Sequence, residues 1–263
     1  MSSATHASSS PDRRIEYLSR PAQVSMSDGY FQLASLDHFW VRRRFEVFQK
    51  LAGHLVSNAN SIAEFGCGHG ILQRQIELAY GKEVSGFDLN EYGLKHNLSQ
   101  FSKIYCYDIY QRDEKLRKAF DLIFLWDVLE HIANEDSFLQ ALFFHLAPGG
   151  KVIVNVPAGP WAFSNYDRAA GHVRRYSRSS FYAVAERNRL LVTNWSYWGL
   201  PLIPALFVRR FSLMGQTEPA GIYAAGFDAH GKIFNRIMRA VSRCEFVPQK
   251  LFGTSLLAVI LEL

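Results

Sequence analysis

The chain has 263 residues, of which 48% are hydrophobic and 20% are charged. This length fits one large domain, and the hydrophobic share excludes a disordered chain. The formal charge is +5, and residues 161–215 carry eight arginines, no lysine and two acids, so that segment holds +6 and the rest of the chain −1. Such a cluster favours binding of an anionic small molecule. A protein groove that binds nucleic acid would more often carry its Lys and Arg side chains on several elements. A solvated basic face is the alternative.

The three cysteines, Cys67, Cys106 and Cys244, are too few and too scattered for a disulfide framework, which predicts a reducing, cytoplasmic setting. Residues 1–13 are Ser-rich and lack an apolar stretch, so we expect a disordered tail and no signal peptide. The most apolar later stretch, 198–208, contains two prolines and is too short to span a bilayer. We therefore predict no transmembrane segment and leave a peripheral membrane contact open.

Strand and helix patterns alternate through the middle of the chain, after a helical pattern over residues 14–58. The predicted strands are 61–66, 83–88, 103–108, 120–127, 151–157, 190–198 and 254–263. Repeated strand-then-helix units are typical of an α/β fold with a doubly wound sheet. We therefore predict seven strands, mostly parallel, in a Rossmann-like arrangement.

The same pattern predicts the domain organisation. Residues 14–58 would form an N-terminal helical lid, and 59–263 the main domain, in which 158–176 form a loop after the fifth strand. The 55 residues of 199–253 exceed an ordinary connection, so we predict a helical insert before the last strand. This insert would form either part of the wall of a pocket or a homodimer interface.

A glycine-rich turn follows the first of these strands, in the segment Glu64-Phe-Gly-Cys-Gly-His-Gly70. Glycines there allow a sharp turn and a close backbone approach to a ligand. The dinucleotide fingerprint fails because residue 71 is Ile, and no Gly-Lys-Ser/Thr follows as a Walker loop requires. An acid before G-x-G-x-G resembles class I, Rossmann-like methyltransferases that depend on S-adenosylmethionine (SAM).

Further signals follow in register at the ends of the next strands: Asp88, Asp108, Asp127 within DVLEH, and the segment LAPGGKVIVNVP. The resemblance implies SAM as cofactor and S-adenosylhomocysteine as product, with Asp88 on the ribose and Asp108 near the adenine. His38-Phe-Trp40 and Arg44 resemble the H-x-W…R segment of these enzymes, in which the arginine reaches the methionine carboxylate. An amphipathic helix with solvated arginines is the alternative. The cofactor residues so predicted are Arg44, Glu64, Gly66, Cys67, Gly68, Gly70, Asp88, Leu89, Asp108, Ile109, Asp127 and Val128.

The segment Gly171-His-Val-Arg-Arg-Tyr176 resembles a bacterial subgroup met among polysaccharide and natural-product enzymes. We predict that Arg174 and Arg175 bind an anionic group of the acceptor, because guanidinium forks match carboxylates and phosphates. In the alternative, one arginine pairs with Asp167 or Glu186 and only orders the loop. The predicted substrate residues are Tyr166, Asp167, Arg174, Arg175 and Tyr176.

Two histidines, His131 and His172, are candidates for the base that takes a proton from the acceptor, since imidazole titrates near neutrality. We favour His172, which lies in the substrate loop; a structural role for either is the alternative. Some family members bind a divalent metal with a cluster resembling Asp127, Glu130, His131 and His172. We predict no metal, because DVLEH also occurs in metal-independent relatives.

The sequence therefore predicts a SAM-dependent methyltransferase whose acceptor is a small or carrier-linked molecule, methylated at a hydroxyl of an anionic or sugar-like compound. A SAM-binding partner protein without catalysis, and methylation at nitrogen or carbon, are the alternatives. A nucleic-acid methyltransferase is disfavoured because DVLE replaces the usual acceptor motif after the fourth strand.

Overall fold

A computed structural model describes residues 15–24, 35–216, 222 and 231–263. Its strands form one sheet in the order β1-β4-β3-β2-β5-β6-β8-β7. The strands are β1 (Glu16–Tyr17), β2 (Ile62–Phe65), β3 (Ser85–Asp88), β4 (Ile104–Cys106), β5 (Phe120–Trp126), β6 (Leu146–Pro157), β7 (Leu190–Trp198) and β8 (Ser255–Glu262). Strands β1 to β6 pair in parallel, and β8 runs antiparallel to β6 and β7. The predicted mostly parallel α/β sheet is confirmed, with eight strands in place of seven.

Helices cover both faces of the sheet. They are α1 (Phe39–Asn58), α2 (Ile71–Tyr80), α3 (Glu91–Lys95), α4 (Glu135–His145), α5 (Asn165–Ala169), α6 (Arg178–Arg187), α7 (Ile203–Ser212) and α8 (Lys232–Ser242). Along β5, Leu122 and Phe124 join the hydrophobic cluster of α1 and α2, whereas Ile123 and Leu125 join that of α4 and α6. Alternate side chains of a strand point to opposite faces, so β5 is buried on both sides, as its apolar sequence predicts.

The eighth strand lies where the sequence predicted a helix. Residues 15–24 are extended, and β1 pairs with β4 through Glu16 and Tyr105. The N–H groups of Leu18 and Ser19 both donate to the carbonyl of Cys106 (2.9 and 3.0 Å). The helical prediction for 14–58 is therefore wrong for 15–24, because tertiary hydrogen bonds to a sheet edge override a local pattern. It agrees with the structure over α1, and the predicted tail, 1–13, lies outside the described residues.

The described part of the insert is helical over 200–212 and 232–242 and is not helical over 243–253. It contains the 3-10 turn Leu200–Leu202, α7 and α8, and both helices contact that turn. Helix α8 also lies along α1. None of the described helices has both the length and the hydrophobicity that crossing a bilayer requires.

A buried carboxylate on α2 fixes a loop beside the glycine-rich turn. Glu77 accepts hydrogen bonds from the backbone N–H groups of residues 100–102 and from the Ser102 hydroxyl, at 2.7–3.0 Å. The same loop carries Asn97, whose side chain fills the space that a Cβ on Gly70 would need. Burial alone would raise the pKa of Glu77, but these hydrogen bonds outweigh it and lower that pKa.

We predict that Glu77→Gln lowers the free energy of unfolding at pH 7 by about 1–3 kcal/mol, because an amide N–H₂ would face backbone donors. The pKa of Glu77 is lower in the folded protein, so its contribution is complete above the ordinary Glu pKa of about 4.3 and is lost as the pH falls. Urea unfolding should therefore show that the difference in free energy of unfolding between wild type and variant becomes smaller in acid. The exposed control Glu83→Gln should change little, and a gap that widens in acid would contradict this account.

Candidate active site

The glycine-rich turn between β2 and α2 is held against the end of β3. Gly66, Gly68 and Gly70 have φ angles of +78°, +51° and +75°, which glycine adopts without strain. The N–H groups of Gly66 and Cys67 both donate to the carbonyl of Phe87 (2.8 and 3.1 Å). The turn is thus a fixed part of the sheet's carboxyl edge, where parallel sheets bind ligands.

Two further observations concern the small residues Gly66 and Cys67 of this turn. A Cβ on Gly66 would overlap the side chain of Val128, which follows β5, so glycine lets the two loops meet. Cys67 is buried, and burial raises the pKa of its thiol well above the ordinary value. Cys67 therefore packs as a neutral thiol and is not a nucleophile.

Asp88 closes the turn from the end of β3. Its Oδ2 accepts from the N–H of Gly68 (2.7 Å) and its Oδ1 from the N–H of Asn90 (2.8 Å). Burial raises the pKa of Asp88 despite these two hydrogen bonds. Because each carboxylate oxygen has a second lone pair, Asp88 can still accept from a pair of hydroxyls.

A cleft of about 670 Å³ opens beside Asp88. It is lined by Tyr17, Leu18, Ser19, Arg20, Pro21, Ala22, Leu89, Asp108 and Gln111. Just after β4, the backbone N–H of Asp108 donates a hydrogen bond to the Ser19 hydroxyl (2.8 Å). Ile109 is buried next to it. The structure thus brings Leu89 and Asp108 to one cleft, as predicted, but its outer wall is the segment 17–22, which the sequence analysis missed.

Arg44 reaches the same edge of the sheet from α1. Its guanidinium is buried, forms an ion pair with Asp127, and lies 4.8 Å from the ring centroid of Trp40 and 4.6 Å from that of Trp126. The alternative of a solvated arginine is therefore not what the structure shows. Stacked between two indoles, the guanidinium is held in place at the end of β5.

Asp127 is fixed from the other side by a buried amide. It has a φ of +55°, and its Oδ1 accepts from the side-chain amide of Asn155 (2.7 Å), whose own Oδ1 accepts from Trp198 Nε1 (3.0 Å). Asn155 is fully buried. The sequence analysis did not single it out, although an isolated Asn in the otherwise apolar strand 151–157 was the available signal.

Glu64 lies at the centre of these acids. It is buried, and its Oε2 has no hydrogen-bond partner among the described residues. Burial raises the pKa of Glu64 well above its usual range, Arg44 opposes this, and Asp88 and Asp127 add to it. A buried carboxyl oxygen that lacks a hydrogen-bond donor suits a cationic ligand. The ammonium and sulfonium groups of SAM meet that requirement, so these residues fit the predicted cofactor.

A second centre lies in the loop after β6. Asp167 is buried, and its Oδ1 accepts from His172 Nδ1 (3.0 Å) and Arg175 Nε (2.6 Å). Its Oδ2 accepts from the N–H and hydroxyl of Ser164 (2.9 and 3.0 Å). Burial would raise the pKa of Asp167, but His172 and Arg175 outweigh it and hold that pKa far below its usual range. Asp167 is therefore an ionised carboxylate that orients the imidazole of His172.

His172 in turn faces the DVLEH turn. Its Nε2 lies 3.9 Å from Glu130 Oε1, and its ring centroid is 4.8 Å from that of His131. Burial raises the pKa of Glu130, and burial together with His172 lowers the pKa of His131 to about 3. Ligand atoms of these three residues lie within 4.8 Å of one another, whereas Asp127, the fourth residue of the metal alternative, is paired with Arg44.

The structure places the predicted acceptor-binding arginines in internal contacts. Arg175 is buried against Asp167, and Arg174 forms an ion pair with Glu135 (3.0 Å). Tyr176 is buried, and its hydroxyl donates to Glu135 (2.5 Å). These contacts match the loop-ordering alternative and correct the expectation of an open guanidinium fork. The sequence analysis named Asp167 as a partner in its alternative but missed Glu135, which lies 39 positions before Arg174.

Helix α7 of the insert lies over the same loop. Tyr166 is buried under the guanidinium of Arg209, 3.9 Å from its ring centroid, and Trp161 stacks on Phe207 with centroids 5.4 Å apart. The Asn165 amide donates to the carbonyl of Leu213 (3.3 Å). The insert therefore forms part of the wall around the loop that carries His172.

The family of the chain follows from comparison with known proteins. The family model described as a methyltransferase domain matches residues 36–215, which is well over half of the chain. This chain belongs to the methyltransferase domain family. The match includes the glycine-rich turn, the strand-end acids and the loop with Asp167 and His172.

Among curated relatives, a ubiquinone biosynthesis O-methyltransferase of Bordetella avium (strain 197N) is 31% identical over 115 residues, or 41% of this chain and 46% of that protein. The chain thus matches less than half the length of that relative. Phosphoethanolamine N-methyltransferase 2 of Haemonchus contortus, solved with SAM, has a TM-score of 0.53 at 15% identity, over 85% of this chain and 52% of that one. The [4+2]-cyclase SpnF has a TM-score of 0.51 at 13% identity, over 80% and 78%. These structures show the class I methyltransferase fold.

We predict that SAM binding releases a proton from Glu64 below its raised pKa, because a cation bound at this acidic centre favours the ionised carboxylate. Calorimetric titration with SAM in two buffers of different ionisation enthalpy measures that proton. Glu64→Gln should abolish the release and weaken SAM binding about tenfold or more, since a hydrogen bond to a charged group contributes about 1.5–3 kcal/mol. The exposed control Glu114→Gln should match wild type. Equal proton release by wild type and Glu64→Gln would contradict the assignment.

Proposed function

We propose that this chain transfers a methyl group from SAM to a hydroxyl of a small or carrier-linked acceptor. The observation that carries the proposal is the pair of Asp167 and His172, which lies beside the DVLEH turn at the carboxyl edge of the sheet. An oriented imidazole at this edge suits proton removal from an acceptor hydroxyl.

Several residues would hold the cofactor. When bound, SAM supplies an electrophilic methyl group that is transferred by in-line displacement. Glu64 and Asp127, with Arg44 beside them, offer charges of both signs for its ammonium and carboxylate groups. Asp88 offers acceptors for the ribose hydroxyls, and the cleft lined by Leu89 and Asp108 offers room for the adenine. The glycines at 66, 68 and 70 keep side chains out of the way.

The choice between the two histidines follows from their surroundings. Ionised Asp167 accepts the Nδ1 proton of His172, which leaves the lone pair on Nε2. His131, with its pKa lowered to about 3, is a much weaker base at neutral pH. We therefore assign the base to His172. Its Nε2 takes the acceptor's hydroxyl proton as the oxygen bonds to the methyl carbon, and the carbon–sulfur electron pair remains on sulfur.

Oxygen as the methylated atom is supported by two observations. The relative from Bordetella avium carries the name of an O-methyltransferase. An amine acceptor would have less need of the base that Asp167 orients, because a neutral amine is already nucleophilic. We do not assign the acceptor's anionic group to Arg174 or Arg175, since both are engaged within the loop.

We predict that His172→Gln lowers kcat for methyl transfer by about 10²–10⁴-fold, because general base catalysis typically contributes that much. The assay is transfer of a labelled methyl group from SAM to a panel of hydroxylated acceptors, including anionic and lipid-linked sugars. SAM affinity should stay unchanged in the variant. The exposed control His54→Gln should keep wild-type rates.

An unchanged kcat in His172→Gln would remove the base assignment. If wild type binds SAM but no acceptor class is methylated, the alternative of a SAM-binding partner protein takes its place.

We also predict that exhaustive chelation leaves methyl transfer unchanged. Asp127, which would complete a metal site with Glu130, His131 and His172, is bonded to Arg44 and Asn155 instead. The measurement is the labelled-methyl assay before and after treatment with EDTA. Loss of activity that Mg²⁺ or Mn²⁺ restores would contradict this prediction.

A further inference from the structure

Helix α8 turns its apolar side toward solvent. Ile233 and Ile237, one turn apart, are 78% and 55% exposed. The polar side of the helix faces the protein: Ser242 is buried, and the Asn235 side chain accepts from the N–H of Phe39 (2.7 Å) and donates to the carbonyl of Asp37 (2.8 Å). In a helix of a soluble globular protein the usual arrangement is the reverse, with the apolar stripe against the core.

Helix α7 repeats this feature. Val208, Phe211 and Met214 recur at three-residue spacing on and just after the helix, and each is 66–69% exposed. Three-residue spacing places them on neighbouring parts of the helix surface. The opposite side of α7 packs on the loop 158–176, as the contact of the Arg209 guanidinium with the Tyr166 ring shows. Both helices contact the 3-10 turn Leu200–Leu202, so they are neighbours within the insert.

Within residues 203–216 and 231–244, every charged side chain is basic. Residues 231–244 contain Lys232, Arg236, Arg239 and Arg243 and no acid, and residues 203–216 contain two arginines and no acid. Lys232 and Arg236 are exposed, whereas Arg243 forms an ion pair with Glu46. On a helical projection at 100° per residue, Lys232 and Arg236 lie along one border of the Ile233–Ile237 strip.

We propose that this surface binds the face of an anionic phospholipid bilayer. The insert face, as we name it, consists of Val208, Phe211 and Met214 of the α7 region and of Lys232, Ile233, Arg236 and Ile237 of α8. Amphipathic helices with apolar residues on one side and Lys or Arg beside them lie in the bilayer interface, where the apolar side chains enter the acyl boundary and the cations meet lipid phosphates.

Charge decides between the bilayer and a second copy of the chain. A symmetric dimer through the insert face would bring Lys232 and Arg236 of both copies to one interface, and like charges oppose such contact. An anionic bilayer complements both the charge and the apolar side chains. Lipid binding does not depend on methyl transfer. Because α7 packs on the loop 158–176, that loop would lie next to the bilayer. Its role in binding the acceptor there rests on the proposed function.

The test is co-sedimentation of the full chain, without SAM or acceptor, with vesicles of phosphatidylcholine alone or mixed with phosphatidylglycerol. We expect binding to the mixed vesicles, much weaker binding to phosphatidylcholine, and a decline with added salt. Ile237→Asp should reduce binding about tenfold or more, whereas Leu78→Asp, an exposed apolar control on α2, should not. Lys232→Glu with Arg236→Glu should remove the preference for phosphatidylglycerol, and the exposed control Lys115→Glu with Lys118→Glu should retain it. Unchanged SAM affinity and melting temperature show that each variant is folded.

Three results would overturn the proposal: no binding of wild type to mixed vesicles, equal losses for Ile237→Asp and Leu78→Asp, or equal losses for the two charge-reversal pairs. Light scattering tests the alternative, in which a second copy of the chain covers the insert face. A dimeric wild type that becomes monomeric in Ile237→Asp, with no vesicle binding, assigns the insert face to a second copy. Because the assay needs no turnover, its failure leaves the methyl-transfer proposal standing, and failure of methyl transfer leaves the lipid result standing.

Discussion

Buried carboxylates at the carboxyl edge of the sheet are the constraint on which the rest of this structure depends. A buried charge is costly unless donors or a counter-charge compensate it, and the acids here are compensated in two ways. Asp88 and Asp167 accept hydrogen bonds from surrounding loops and thereby fix the glycine-rich turn and the loop 158–176. Glu64 Oε2 and both oxygens of Glu130 have no such partner within the described ranges, and burial raises both pKa values. Asp88 and Asp167 therefore hold the loops of the site in place, whereas Glu64 and Glu130 can interact with a cation or take up a proton.

The cofactor side of the site was predictable because parallel strands end at one edge. Once the alternation of strands and helices is recognised, Asp88, Asp108 and Asp127 must gather there, whatever the details of the loops. The segment 15–24 was not predictable in the same way. Its structure depends on an exposed edge of β4 and on Ser19 meeting Asp108, 89 positions later, and no local pattern encodes such a contact.

The acceptor side was harder to predict for a reason of charge. Summed over 161–215, the arginines appear to be in excess, but their partners lie outside that window: Arg174 pairs with Glu135, and Arg187 with Asp136. A local sum cannot include acids contributed by another helix. Exposed basic residues also lie beside exposed apolar side chains on α8, outside the segment 161–215 that the composition singled out.

Helix α7 connects these two surfaces. On its inner side Arg209 packs on Tyr166 of the loop 158–176, and its outer side exposes Phe211. A helix ten residues long has few side chains that are not used by one side or the other. A partner on the outer side would therefore be separated by this one helix from the loop that carries His172.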